Sequence, residues 1–286
     1  MIVEFKDVKY VYNENRPNET LAINGINLEI NRGDFIGLIG HTGSGKSTLI
    51  QLINGLYKPS FGDVITYSIN TKEKGDKLKT IRQKVGMVFQ YPEHQLFEET
   101  VFLDIAFGPK NMGLDKDEIE ARVKDAMNLV GLDYEALKDK SPFNLSGGQK
   151  RRVAIAGVLA MHPHLLILDE PTAGLDPRGR EEILGYIKKL HDDLGITIIL
   201  VTHSMEEASE LANRILVVKD GKILLDDKPI KVFENEDKLN EIGLDVPEVT
   251  SLMRALGKKF DGINTDILNV EDASDEIMKY FGDRNV

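Results

Sequence analysis

The chain has no cysteine in its 286 residues. That excludes disulfides and cysteine-based zinc sites, and it is compatible with a reducing cytosol. No apolar run approaches the ~20 residues needed to cross a bilayer, so a soluble chain is expected, with any membrane role exercised through a partner. Residues 1–6 alternate like a strand and lack a signal-peptide core. Positive charge is in the minority: 36 Lys and Arg face 47 Asp and Glu, a formal net charge of −11. A protein built to grip DNA or RNA would more often be basic, so no nucleic-acid partner is expected. Low-complexity segments and tandem repeats are absent. What remains, 41% hydrophobic and 29% charged residues, is an ordinary globular composition, with length for one large domain and a small one.

The chain is organised around Gly40-His41-Thr42-Gly43-Ser44-Gly45-Lys46-Ser47-Thr48, which fits the phosphate-binding P-loop pattern G-x-x-x-x-G-K-[ST]. An apolar run, residues 35–39, precedes it, and residues 49–53 continue as a helix, which is the strand–loop–helix context the motif needs. Glycines let successive N–H groups turn toward phosphate oxygens at a helix N-terminus. Lys46 then contacts the β and γ phosphates of ATP, and the Ser47 hydroxyl is a ligand of Mg²⁺.

Alternating patterns predict strands over 2–11 and 23–30, with a further strand over 63–69 and a short helix over 78–83. Tyr12, where the first strand gives way to a loop, is the better of two tyrosines to stack on adenine. Residues 85–90 read as a buried strand ending in Gln90. A helical insertion then follows, with Ile119, Val123, Ala126, Met127 and Val130 on one face and Asp115 and Glu118 at capping-box spacing. Residues 165–168 form a continuous apolar run, as in a strand buried on both faces, and end in Asp169-Glu170. Asp176-Pro177 reads as an N-cap followed by proline at the first helical position, ahead of a stripe of Ile183, Ile187, Leu190 and Leu194. Another buried strand over 196–201 ends at Thr202-His203, and Asp220-Gly221 marks a hairpin between 215–218 and 222–225. Beyond about residue 226 the alternation stops. Val249, Leu252, Met253, Leu256 and Phe260 still share a helical face, and Ile277, Met278 and Phe281 suggest another short helix.

Chemistry follows from this order. A carboxylate at a buried strand end, Asp169, can hold Mg²⁺ opposite Ser47. The next one, Glu170, is placed to polarise the attacking water. Gln90 and His203 also sit at carboxyl ends of strands, where open α/β sheets bind ligands, and either can reach the γ-phosphate, its water or the metal shell. Leu145-Ser146-Gly147-Gly148-Gln149 is a second glycine-rich turn before a helix; five fixed positions match by chance on the order of one time in a thousand or less. If the two phosphate-binding surfaces serve separate ATPs, the natural arrangement is a head-to-tail dimer, each ATP lying between the P-loop of one subunit and Ser146–Gln149 of the other.

With these motifs in this order, the chain resembles the ATP-binding subunit of an ABC transporter over roughly residues 1–225. The resemblance implies a P-loop NTPase α/β core with a mostly parallel sheet, an N-terminal antiparallel β-subdomain, a helical subdomain at about 91–160, and a small C-terminal extension over 226–286. Tyr12 is similar to the adenine-stacking aromatic, Gln90 to the Q-loop glutamine, and Ser146–Gln149 belong to the signature motif. Asp169, Glu170 and His203 resemble the Mg²⁺ aspartate, the catalytic glutamate and the switch histidine, and residues 173–176 the D-loop. A narrower resemblance, to energy-coupling factor transporters of the vitamin, cobalt and nickel uptake kind, rests on residues 90–101, on 106–111 and on the C-terminal extension. Tyr91-Pro92-Glu93-His94 is similar to the second of their two ATPase paralogues. This implies a second ATPase subunit (paralogue or itself), a transmembrane coupling subunit, a substrate-binding membrane protein, and a peripheral place on the cytoplasmic face of the cell membrane. Glu93, Glu98, Glu99 and Asp104 then form an acidic surface beside Gln90 on which a basic helix of a membrane partner would dock.

Two other classes share some of these motifs. DNA-repair ATPases of this type need a long coiled coil between P-loop and signature, and the interval from Lys46 to Leu145 has no room for one. Soluble ribosome-acting relatives normally carry two cassettes, and this chain has one.

Overall fold

Two sheets and a helical lobe share the chain. The computed structural model describes residues 1–282. The N-terminal half contributes β1 (Val3–Tyr12), β2 (Thr20–Ile30), β3 (Phe35–Ile39), helix α1 (Lys46–Ile53), β4 (Phe61–Thr66), β5 (Ile69–Asn70), α2 (Asp76–Lys84) and β6 (Val85–Val88). Alternation puts β1, β2, β4 and β5 in an antiparallel sheet of order β2-β1-β4-β5. The single strand expected over 63–69 is in fact two. Tyr67 (φ 50°) and Ser68 (φ 63°) both take left-handed backbone and make a two-residue turn between β4 and β5. A mirror-image turn there usually carries Asn or Gly, so its sequence signal was missing.

The helical lobe follows: α3 (Val101–Asn111), α4 (Lys116–Leu129), α5 (Tyr134–Leu137) and α6 (Gly147–Leu159). Asp115 caps α4 by accepting from the Glu118 N–H, as its spacing predicts. The chain then returns to the sheet through β7 (Leu165–Asp169), α7 (Pro177–Leu194), β8 (Thr197–Val201), α8 (Met205–Leu211), β9 (Arg214–Lys219) and β10 (Lys222–Asp227). Asp176 caps α7, with Pro177 at its first position. Of the stripe expected on α7, Ile183, Ile187 and Leu190 are buried, but Leu194 is 51% exposed. Leu194 is the last residue of α7, followed by the left-handed Gly195, so no further helical turn covers it. Asp220 and Gly221, both at positive φ, turn the β9–β10 hairpin.

The second sheet has the order β10-β9-β3-β8-β7-β6, parallel throughout except at the β10 edge. Its central strands are buried on both faces. Along β7, Leu165 and Ile167 join the core shared with the antiparallel sheet and α1, while Leu166 and Leu168 join the core shared with the helices. This antiparallel-plus-parallel α/β architecture with a helical insertion is the expected fold class.

The C-terminal segment adds α9 (Pro229–Phe233), α10 (Glu236–Asn240), α11 (Glu248–Gly257) and α12 (Val270–Gly282). Val232, Phe233, Leu239 and Val246 pack into the larger, helix-facing core. A separate small cluster, with Met253, Ile263, Ile267 and Ala273 at its centre, joins α11 to α12. Both helices expected from the sequence are present, with Leu252 and Met278 53% and 69% exposed.

Candidate functional site

The carboxyl ends of β3, β8, β7 and β6, four neighbours in the sheet, carry the P-loop, His203, Asp169-Glu170 and Gln90 respectively. They surround a cavity of about 510 Å³ lined by Tyr12, Thr42, Gly43, Gly45, Lys46, Ser47, Thr48, Gln90, Glu170 and His203, with Thr20, Leu21 and Ala22 of β2 on the remaining side. Sequence reading missed these β2 residues. The signal that binds them to the site is a close approach: a methyl at Gly45 would lie 2.6 Å from the carbonyl oxygen of Ala22.

The P-loop wraps the N-terminus of α1, with Gly45 at its N-cap in left-handed backbone. Lys46 is buried, and its Nζ donates to the carbonyls of Gly40 (2.5 Å) and His41 (3.0 Å). Burial pushes its pKa down, and the nearby carboxylates of Glu170 and Asp169 pull it back up. The Ser44 hydroxyl is buried with no hydrogen-bond partner, an orphan pointing to a missing acceptor or donor in this loop. An orphaned hydroxyl, a lysine held only by loop carbonyls, and glycines in left-handed backbone together fit a phosphate chain. Tyr12 lines the same cavity, donor or acceptor to Thr48 Oγ1 at 2.9 Å and edge-on to Tyr10 and Tyr57, so one ring is fixed at the cavity wall.

Opposite the P-loop, Asp169 is nearly buried at the end of β7. Burial raises its pKa and the Glu170 charge raises it further, while Lys46 and a hydrogen bond from Ser47 oppose both. Ser47 and Asp169 thus present two hard oxygen donors side by side, a donor set suited to Mg²⁺ beside phosphate oxygens. Glu170 adopts φ 49° and is anchored by its N–H to the Val201 carbonyl. Its two carboxylate oxygens meet different partners: Oε2 accepts from Gln90 Nε2 at 2.9 Å, and Oε1 lies 2.8 Å from His203 Nε2. Gln90 and His203, expected at strand ends, sit two residues past β6 and β8 and converge on this one carboxylate.

Ser146, Gly147, Gly148 and Gln149 do not line this cavity. Ser146 caps α6, and with Gln149 it forms a reciprocal capping box in which each side chain accepts from the other's backbone N–H. The two glycines lie inside the first helical turn rather than in a loop before it. Ser146 and Gly147 are exposed.

The acidic surface expected beside Gln90 is smaller than the sequence suggested. Glu93 accepts a bidentate pair of bonds from Arg151 (2.9 and 3.1 Å), and Arg151, only 2% exposed, also donates to the carbonyls of Pro171 and Ala173. The Arg151 hydrogen bonds hold the Glu93 carboxyl below its ordinary range against burial. Asp104 accepts from the N–H groups of Phe97 and Glu98. Glu98 and Glu99 remain, beside Phe97 and Phe107, exposed rings in edge-to-face contact at 5.0 Å. Arg151 was missed; its clue is its register with buried Ile155 and Leu159 on α6, where a charged residue needs a partner.

The model of the ABC transporter family matches residues 23–173. The chain is 57% identical to the energy-coupling factor transporter ATP-binding protein EcfA2 of Clostridium tetani, over 99% of both chains. It is 52% identical to the protein of the same name from Clostridium perfringens, over the full length of both. Among solved structures, cbiO1 of Clostridium perfringens, described as part of the ABC transporter complex cbiONQ, superposes with a TM-score of 0.74 at 40% identity, covering 88% of this chain and 98% of that one. The ATP-binding cassette MJ0796, solved as a dimer after hydrolysis with ADP and Pi, gives 0.71 at 33% identity, covering 80% and 99%. This chain therefore belongs to the ABC transporter family, as an ATP-hydrolysing subunit of the energy-coupling factor type.

Proposed function

We propose that this chain is the motor of an energy-coupling factor importer, driving uptake of a vitamin or a transition-metal ion through separate membrane subunits. It works as half of a head-to-tail pair with a second ATPase, paralogous or identical. The observation that carries this reading is the separation of the two anion-binding turns. Residues 146–149 line none of the cavity that holds Lys46, so they are available to a nucleotide held by another subunit. In this arrangement Lys46 and the P-loop N–H groups grip the phosphates, and Tyr12 supports the adenine. Ser47 and Asp169, with Gln90 at the edge of the shell, would hold Mg²⁺, which neutralises charge on the β and γ phosphates when bound. Glu170 takes a proton from the attacking water as its oxygen bonds to the γ-phosphorus and the bond from that phosphorus to the ADP oxygen breaks. His203 and Gln90 orient Glu170 and the water.

Glu170→Gln should bind ATP and lock the pair in its closed state, seen as a stable dimer on size exclusion, while turnover falls roughly 10²- to 10⁴-fold. Near-normal turnover would remove Glu170 from this role.

Among the described residues no helix is long and apolar enough to cross a membrane. Membrane attachment therefore rests on partners, at the cytoplasmic face. We place the coupling subunit on the surface of Phe97, Phe107, Glu98 and Glu99, where a basic, apolar helix finds both charge and rings. Reversal of charge at Glu98 and Glu99 should abolish uptake in reconstituted vesicles and leave ATP affinity unchanged; unimpaired uptake rejects this docking site.

A further inference from the structure

Behind the catalytic carboxylate lies a second carboxylate that the mechanism does not use. Glu207, on α8, is 3% exposed. A buried carboxylate is costly unless its oxygens are satisfied, and here both are. Oε1 accepts from the Thr172 hydroxyl at 2.8 Å and lies 3.5 Å from Arg180 Nε on α7; Oε2 accepts from the Thr202 hydroxyl at 2.5 Å. The backbone of Glu207 is held too, its N–H donating to Ser204 Oγ, while the Ser204 N–H donates to Thr202 Oγ1.

The placement of the two threonines gives this network its meaning. Thr202 immediately precedes His203, and Thr172 follows Glu170 by two residues, with Pro171 between. His203 and Glu170 already touch at 2.8 Å on the cavity side. Glu207 joins the same two loops through Thr172 and Thr202, which do not line the cavity, closing a ring that runs from Glu170 through Thr172, Glu207 and Thr202 to His203 and back. Packing alone does not call for an acid here, since the neighbouring positions Met205 and Ala208 bury apolar side chains in the core.

We propose that Glu207 is a positioning residue that fixes the separation and orientation of His203 and Glu170. It clamps the loop after β7 to the loop after β8, and through Arg180 it ties both to α7. The side-chain bonds of the clamp go to Thr172, Thr202 and Arg180 and none goes to the P-loop or Lys46, so its loss should be felt in turnover rather than in ATP binding. The inference rests on the reading of Glu170 as the residue that activates water.

The test uses the full chain with its ATPase partner, or paired with itself. Glu207→Ala should lower kcat roughly ten- to a hundredfold, the range expected for misplacing reacting groups by about an ångström, with KM for ATP within about twofold of the original. Glu207→Gln, which keeps one acceptor oxygen and the side-chain length, should recover most of that loss. Should the alanine variant fold poorly, Thr172→Val removes one donor at nearly constant shape and should lower kcat at a temperature where the variant is still fully folded. Unchanged kcat in both Glu207→Ala and Thr172→Val overturns the proposal, as does a glutamine variant no better than alanine. Glu170→Gln in the same assay separates the two readings: an inactive Glu170→Gln beside a fully active Glu207→Ala sinks only the clamp, whereas an active Glu170→Gln removes its foundation.

Discussion

In the P-loop, a methyl group at Gly40 would lie 2.3 Å from the Val218 carbonyl oxygen, and one at Gly45 2.6 Å from that of Ala22. In the signature turn, a methyl at Gly147 or Gly148 meets no atom within 4 Å. Both stretches are glycine-rich, and both precede or open a helix. Their glycines nevertheless answer to different neighbours. At Gly40 and Gly45 the chain's own backbone fills the space and the dihedrals are left-handed or beyond (φ 153° and 111°). Gly147 and Gly148 carry ordinary helical backbone and face open space. No demand of this chain's own fold keeps a side chain from those positions, and the open space above them is where the proposed second subunit would deliver its nucleotide.

Two glycine-to-alanine substitutions set this comparison against experiment, and they carry the largest expected effects. Gly40→Ala places a Cβ against backbone at a dihedral L-residues avoid and should cost at least about 3 kcal/mol, lowering Tm by roughly 10 °C and removing ATP binding. Gly148→Ala should leave Tm unchanged or slightly raised, since alanine in a helix is favoured over glycine by up to about 1 kcal/mol. Its effect should appear only in the pair, as a turnover loss of about tenfold or more with ATP binding to the separate subunit intact. Thermal melts beside ATPase assays decide between them. Equal destabilisation by the two substitutions would break the comparison.

The same contrast explains what could be read from the chain alone. The P-loop, Asp169-Glu170 and His203 were legible because each requires a particular residue type at a strand end, and the strands announce themselves as apolar runs. The two-faced burial of β7 needed only Leu165-Leu166-Ile167-Leu168. Part of what stayed hidden depends on contacts distant in sequence, and part on local backbone that carries no sequence signal. Glu93 reads as surface acid until Arg151, 58 positions away, takes both its oxygens. Leu194 fits its helical stripe by period and lies in α7, yet as the helix's last residue, before the left-handed Gly195, it stays exposed. The turn at Tyr67-Ser68 carries no glycine or asparagine, so residues 63–69 read as one strand where the left-handed pair makes two. Glu207 was overlooked because α8 is short and its neighbour Glu206 is a solvent-side acid of identical type.

A smaller effect sharpens the comparison from the side of charge. The signature turn is electrostatically at rest, its capping box satisfied within residues 146–149. The P-loop side is not. Asp169 is pushed toward protonation by burial first and by Glu170 second, so its folded pKa lies above its unfolded one. The folded state therefore holds that proton more tightly than the unfolded chain does. Below the ordinary carboxylate value, about 3.9, both states are protonated and Asp169 costs the fold nothing; as pH rises through the raised value the favourable term is lost, and the cost of ionisation is then fully present. Asn cannot titrate, so Asp169→Asn should melt above the original chain at pH 7, with the gain shrinking toward zero as pH falls to about 4. Adding Mg²⁺ and ATP at pH 7 should reverse the order, because the original chain gains Tm from binding and the variant, short of one metal ligand, gains less. A variant that melts lower than the original at pH 7 without nucleotide would mean that Asp169 is a structural anchor. A higher Tm identifies a charge held at a cost to the fold and compensated only when the site is loaded.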